Sequence, residues 1–382
     1  MKTVCENDKC TGCMACIDKC PQDAIMIKDT MVAYNAVINE NKCISCGLCE
    51  KICQNNVVLK RLEPQVWYQG WCSGEKRRCE GSSGGAAMAL AAAFIQKGGK
   101  VASCMFYQGE FIFKLVSEEK DLVDFAGSKY VKSNPSGVYT IIKEELKKKV
   151  NVLFIGLPCQ VAAVKQYVGD SLEEAYLTTI DLICHGTPSP KMLEKFLSQY
   201  NIEAKRLNDI KFRTKGNFQI SDNGKALNNL KCADAYMISF LSSLSYTDNC
   251  YSCAYANIKR ISDITLGDSW GTELSSDEWN KGISLILCQT NKGIDLLKNA
   301  NMELKKVDLN NAIAHNHQLN KPSIAPIGRR VFFENLHKGM SFNLAVFKAL
   351  PKECISQNIR GILNKIKSGG GQMTYKITIY YD

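Results

Sequence analysis

Eight of the chain's 19 cysteines form one pattern, used twice. Cys10, Cys13, Cys16 and Cys20 are followed by Pro21, and Cys43, Cys46, Cys49 and Cys53 repeat the spacing at a constant offset of 33 residues. Three thiolates at consecutive two-residue gaps sit on one loop and can bind three irons of a single [4Fe–4S] cubane. The fourth, carried off by three residues and a proline bend, reaches the neighbouring cubane. The spacing therefore assigns Cys10, Cys13, Cys16 and Cys53 to one cluster, and Cys43, Cys46, Cys49 and Cys20 to a second. Gln54 follows Cys53 where the first copy has its proline, which weakens the bend but removes no ligand. Zinc is the competing chemistry, yet it favours paired Cys-x2-Cys knuckles that close one tetrahedron. Cys5 lies just outside the pattern and reads as a spare thiol.

Each copy needs a cluster loop and a short strand behind it. Ala24–Ile27 and Val57–Leu59 are the apolar runs that fit, so residues 1–62 read as a small two-fold ferredoxin-like domain. Residues 63–80, with Pro64, Gly70, Gly74 and the charged run Glu75–Arg78, read as a linker. Beyond it strands and helices alternate. A helix is predicted over 86–97, strands at 101–106 and 111–116, a helix at 138–149 and a strand at 152–155. A helix at 161–168, a strand at 177–184 and a helix at 191–200 follow. The overall class is mixed, α+β with α/β, and the rhythm places sites at strand ends. The later part is less regular, with helices at 233–244 and 294–299, a strand at 283–289 and helices over much of 328–366. The large domain divides into 81–205 and 206–366, and 367–382 is a Gly-rich tail.

Composition narrows the setting. A 382-residue chain can bury a large core. It shows no signal peptide and no apolar run long enough to span a membrane. With cysteines at metal-ligand spacing, this implies a reducing cytoplasm. The net charge is +10. Its lysines are spread without interleaved aromatics, which argues against nucleic acid and for a solvated basic surface, an acidic redox partner or an anionic substrate.

Weaker constellations lie in the large domain. Cys159 follows a strand, Cys184 ends one, and Cys250 and Cys253 form a knuckle. Together they would make a third four-thiolate site; buried packing cysteines or a structural zinc are the alternatives. Gly81–Gly85, containing Ser82, Ser83 and Gly84, precedes an apolar helix and is either a phosphate-binding turn or a flexible entry. Lys129 and Tyr130 bring a cation and a phenol on a small-residue turn. Asp263 and Asp268 are structural caps or partners of Arg260. His185, beside Cys184, is a hydrogen-bonding support or an acid–base catalyst.

Several of these stretches, in this order, resemble the beta subunit family of coenzyme F420 hydrogenases and dehydrogenases. They are Gly81–Gly85, Gly127–Ser133, Leu153–Gln160, Asp181–Pro190, Cys250–Cys253 and Asp263–Gly271. The resemblance implies a larger α/β domain holding FAD and a further [4Fe–4S] cluster. It implies Cys159, Cys184, Cys250 and Cys253 as that cluster's ligands, and Ser82, Ser83, Gly84, Gly85, Lys129 and Tyr130 as flavin contacts. One departure stands out: Leu157 replaces a threonine usual in the family, and the lost hydroxyl would weaken flavin binding. The expected activity is that of an iron–sulfur flavoprotein oxidoreductase exchanging electrons with a ferredoxin-type carrier or a hydrogenase or dehydrogenase subunit, and with a small organic substrate. A non-catalytic electron-transfer subunit is the alternative. The doubled cysteine pattern alone predicts that anaerobically prepared protein is brown and releases inorganic sulfide on acidification; colourless protein carrying zinc would contradict it.

Overall fold

The computed structural model describes residues 2–227 and 232–368. The strands in chain order are β1 Ile25–Asp29, β2 Tyr34–Ile38, β3 Val66–Cys72, β4 Lys100–Tyr107, β5 Glu110–Val116, β6 Val152–Gly156 and β7 Leu177–Leu182. They continue with β8 Ile210–Lys211, β9 Ser221–Asp222, β10 Lys225–Ala226, β11 Ile264–Asp268, β12 Ser284–Cys288 and β13 Met302–Lys305. Eight of them build one mixed sheet in the order β13-β3-β12-β11-β7-β6-β4-β5. β4, β6, β7 and β11 run parallel at its centre, and β5, β12, β3 and β13 add antiparallel neighbours.

The central strands are parallel because helices cover both faces, which demands apolar residues at every position. Val152, Leu153, Phe154, Ile155 and Gly156 are all buried. Leu153 and Ile155 pack with helices Ala86–Gln96 and Asn291–Asn299. Val152 and Phe154 face the opposite side, toward helices Val138–Lys147 and Pro158–Val168. This two-residue alternation divides the core into layers. A third apolar cluster gathers the aromatic side chains of Phe196, Phe212, Tyr236, Phe332 and Phe342.

Residues 63–80 are not a linker. Val66–Cys72 is a strand within the large sheet, paired to β12 through Ser284↔Gly70 and to β13 through Leu304↔Gly70. Glu75–Glu80 is helical. Glycine and charge had suggested a connector, but a strand between two partners tolerates both where a neighbour's backbone comes close. A side chain at Gly70 would meet the Glu303 carbonyl. The strands of the sheet are drawn from 66 to 305, across the boundary expected at 205–206. Strand β1 is near its expected place, whereas Val57–Leu59 is not a strand. Its counterpart is β2, which pairs antiparallel with β1 from Ile25↔Ile38 to Asp29↔Tyr34. The helix expected at 161–168 starts earlier, at Pro158. Residues 369–382 of the expected tail lie outside the described residues. Among the described residues, no helix is long and apolar enough to cross a membrane.

The N-terminal unit shares its apolar core with the large domain. Cys13, Ala15, Cys16 and Ile52 pack in one cluster with Val138, Tyr139, Phe154 and Ala163. The Asp18 carboxylate accepts from the Gly137 N–H (2.8 and 2.9 Å) and from Ser136 Oγ (3.0 Å), at the start of helix Val138–Lys147. A carboxylate at a helix N-terminus satisfies an otherwise unpaired donor and opposes the helix dipole. Asp18→Ala should therefore lower stability by about 1 kcal/mol, measured by denaturant unfolding under anaerobic conditions; an unchanged midpoint would contradict this capping role.

Candidate functional site

The carboxyl ends of parallel strands are where open α/β sheets place their ligands, because loops there diverge and leave a crevice. Here β6 is followed by Leu157–Gln160, β7 by Ile183–Thr187 and β11 by Ser269 and Trp270. Leu157 caps helix Pro158–Val168, with Pro158 at its first position, where a missing N–H does no harm. The Leu157 N–H donates to Gln160 Oε1 (2.9 Å), and Gln160 Nε2 donates to Ser133 Oγ (2.8 Å). Cys159 thus sits in a helix's first turn, where backbone dipoles favour a thiolate.

Cys159, Cys184, Cys250 and Cys253 line one cavity of about 310 Å³. Burial, reinforced by Cys250 and Cys253, pushes the Cys184 thiol up to about 12. Burial and the neighbours Cys184 and Cys253 hold the Cys159 thiol well above its usual value, with Lys132 opposing. Left bare, Cys159 and Cys184 favour the protonated form, which a strongly cationic centre would reverse. The Thr187 N–H donates to Cys250 Sγ (3.4 Å). Arg260, almost fully buried, pairs with Asp181 (3.1 Å) and donates to the Tyr255 carbonyl (2.7 Å), fixing the segment after Cys253. Among the described residues, no three acidic, histidine or cysteine side chains close on one point as single-ion ligands do. Four cysteine side chains on one cavity of about 310 Å³ form a donor set that fits an iron–sulfur cubane.

The repeat cysteines assemble as two adjacent sets. Cys20, Cys43, Cys46 and Cys49 line a small cavity formed wholly by residues 20–49. Cys10 and Cys53 both lie within reach of Cys5, and Cys13 and Cys10 lie beside Cys16. Cys16 also neighbours Cys49 of the other set. Backbone N–H groups donate to sulfur at Cys10, Cys20 and Cys43, from Ala36, Ala24 and Ser45, each at 3.4 Å. Such donors favour the anionic form a cluster ligand needs.

A second large cavity, about 280 Å³, lies on the other side of the Cys184–Thr187 segment. One end is the Gly81–Gly85 turn, where the Ser82 Oγ accepts from the Ser128 N–H (2.7 Å), joining two loops the sequence singled out separately. Gly84 is pressed against the sheet, and a Cβ there would meet the Gly70 carbonyl at 2.5 Å. Gly85 adopts φ 78°, the left-handed region that favours glycine, and leads into helix Ala86–Gln96. The turn is a fixed cradle at a helix N-terminus, suited to an anion. Lys215 Nζ donates to the Ser83 carbonyl (2.8 Å) behind it. Arg78 lies over Trp71 and pairs with Glu278 (2.7 Å).

Lys129 and Tyr130 line this cavity but are tied down. The Lys129 ammonium donates to the carbonyls of Phe125 (2.8 Å) and Ala126 (2.9 Å). The Tyr130 ring stacks on Phe240 at 4.3 Å. His185 is partly buried and held neutral, its value lowered to about 4 by desolvation and by His317. Its backbone carbonyl accepts from Ser323 Oγ (2.7 Å), and its ring lies edge-on to His317 at 5.6 Å. The expected partners of Arg260 are corrected. It pairs with Asp181, while Asp268 forms a two-bond pair with Arg213 (2.7 and 2.9 Å). Asp263 accepts from the Thr179 N–H (2.7 Å) and Thr290 Oγ1 (2.7 Å). Arg213 is a cavity residue outside every stretch the sequence singled out, while Ser133, Gln160 and Trp270 lie within those stretches without having been named as contacts. Leu157 lines both cavities, so its apolar side chain forms part of the wall between them.

With this geometry in hand, comparison places the chain. Residues 150–312 match the C-terminal region of the coenzyme F420 hydrogenase/dehydrogenase beta subunit family. Residues 8–70 match the 4Fe-4S dicluster domain, which supplies iron–sulfur clusters. The chain thus joins these two family segments, and the turn Gly81–Gly85 lies in neither. No curated protein matches. Among solved structures, a chain of the F420-reducing [NiFe] hydrogenase complex from Methanosarcina barkeri aligns with a TM-score of 0.45 and 15% identity. The alignment covers 82% of this chain and 97% of that one.

Burial lowers Lys129 from 10.5 to about 8. Its charge is therefore complete below that pH and lost above it. An anionic ligand held in the cavity would bind the charged form better, so the affinity of an anionic nucleotide probe should fall as pH rises through about 8. Lys129→Met should flatten that profile, measured by fluorescence titration; a flat wild-type profile would contradict it.

Proposed function

We propose that the chain is an iron–sulfur flavoprotein oxidoreductase, in which the four-thiol cavity holds a third [4Fe–4S] cluster and the larger cavity holds FAD. The observation that carries this reading is the shared wall: Leu157, Cys184, His185, Gly186 and Thr187 line both cavities. Groups on the two sides would be separated by little more than one stretch of backbone.

In this reading Cys10, Cys13, Cys16 and Cys53 hold the first cluster, and Cys20, Cys43, Cys46 and Cys49 the second. Ser82, Ser83, Gly84 and Gly85 receive the pyrophosphate, because their turn forms one end of the cavity at the start of helix Ala86–Gln96. A bound flavin takes hydride as a pair and releases electrons singly to clusters. The chain's own part is to place the site and keep it dry. Phe113, Phe218, Phe240 and Leu266 line the cavity. The Arg213–Asp268 pair sets a fixed charge pattern beside Tyr130 and Trp270, where a polar organic substrate would be oriented. The partly buried, neutral His185 ring keeps that wall free of charge.

A second reading, an electron-transfer subunit of a larger redox complex, is favoured by one feature. Helix Pro351–Ser368 leaves Ile355, Ile359, Ile362 and Leu363 about half exposed, and Leu344 and Phe347 of the preceding helix are similarly open. Apolar residues repeating along one helix face suit a partner protein.

A cofactor inventory on anaerobically prepared protein tests both. About twelve irons per chain, four per cubane, with one FAD released on denaturation, is the expected result. About eight irons without flavin would sink the first reading and leave the second. Gly84→Ala should abolish flavin retention with iron unchanged.

A further inference from the structure

We propose that Gln54 is a positioning residue that makes the first cluster site the electron outlet of the N-terminal unit toward the thiol set Cys159, Cys184, Cys250 and Cys253. This rests on the reading that the latter set holds a cluster. Gln54 occupies the position where the first cysteine copy carries Pro21, and it is the one break in the repeat's motif.

The side chain of Gln54 is only 3% exposed, and each end of its amide is engaged. Its Oε1 accepts from the hydroxyl of Tyr255. Its Nε2 donates to Thr11 Oγ1 (3.2 Å) and Asn55 Oδ1 (2.9 Å). Thr11 follows Cys10, Gln54 follows Cys53, and Tyr255 comes two residues after Cys253. One amide therefore ties two ligand loops of the first site to a ligand loop of the third. Two further bonds cross at the same place. Lys132 Nζ donates to the Thr11 carbonyl (2.9 Å), and Tyr139 Oη donates to the Cys13 carbonyl (2.9 Å). The four-thiol cavity itself is walled partly by Lys9, Thr11 and Asn55 of the N-terminal unit.

The second site has no such connection to that cavity. Its cavity is lined by residues 20–49 alone, and Cys46 is exposed. It stands on the outer side, in reach of a carrier, and it adjoins the first site through Cys16 and Cys49. The order of transfer is then second site, first site, third site, or its reverse. With clusters bound, each step would move one electron from a reduced site to an oxidised one, with no bond formed or broken and no proton transferred. A proline at 54 would keep the thiolate bend and lose the three side-chain bonds made by the Gln54 amide, because its ring has neither an amide donor nor an acceptor.

The test compares anaerobic full-length holoprotein with Gln54→Pro and Tyr255→Phe. Iron and sulfide are assayed, spin–spin coupling between the reduced clusters is read by electron paramagnetic resonance, and electron arrival in the large domain is followed by stopped flow after mixing with dithionite. Both variants should keep wild-type iron, lose coupling between the first and third clusters, and slow arrival by about tenfold, the equivalent of ~1.4 kcal/mol. Fully loaded variants with wild-type coupling and rate would overturn the proposal. If Gln54→Pro loses iron, Tyr255→Phe alone decides. Wild-type protein with iron for only two cubanes would instead remove the three-cluster reading, and the proposal with it.

Discussion

Sulfur that must be negative and buried is the constraint around which this molecule is built. Thiols at Cys10, Cys159 and Cys184 are driven toward protonation by burial and by one another. A four-thiolate set is tenable only with positive charge at its centre and donors around it. The chain supplies the donors: backbone N–H groups at four of the sulfurs, a helix N-terminus at Cys159, and the cations Lys132 and Arg260 nearby. Bound metal would be part of what holds these loops in shape, and the apolar packing behind them serves to keep them in place.

That packing explains why the N-terminal unit does not behave as a tethered accessory. Its cysteine loops and the helices Val138–Lys147 and Pro158–Val168 contribute to one apolar cluster. Asp18 caps the first of those helices, and Tyr167 Oη donates to the Asp18 carbonyl oxygen of the backbone (3.2 Å). Electron transfer needs short, fixed separations between centres. Here they are set by core contacts and a few crossing hydrogen bonds, and no flexible chain intervenes.

The two cavities on either side of Cys184–Thr187 follow from the sheet. Parallel strands β6 and β7 pair from Val152↔Leu177 to Gly156↔Asp181, so the loops after them emerge side by side. One loop gives Leu157 and Cys159, the other Cys184 and His185. Each must then face a sulfur site on one side and the larger cavity on the other. Leu157 belongs to this wall, where its apolar side chain stands between the two cavities.

Local chemistry was legible in the amino-acid order. The doubled cysteine spacing, the glycine-rich turn before an alanine helix and the buried run of β6 each depend on neighbours within a few residues. Binding chemistry, turn conformation and strand burial act over that range. What could not be read was anything requiring distant segments to meet. Gly70 and the charges after it looked like a linker, because nothing nearby reveals that Val66–Cys72 lies between β12 and β13. Arg260 has acids close by in sequence and finds Asp181 across the sheet instead. Lys129 and Tyr130 looked like free ligands until Phe125, Ala126 and Phe240 were placed around them. Gln54 looked like a lapse in a repeat until Tyr255 was brought to it. Spacing along the chain determined which atoms could bind metal; only long-range strand pairing and core packing decided which of those atoms face one another, since proximity in space is set by burial and not by sequence distance.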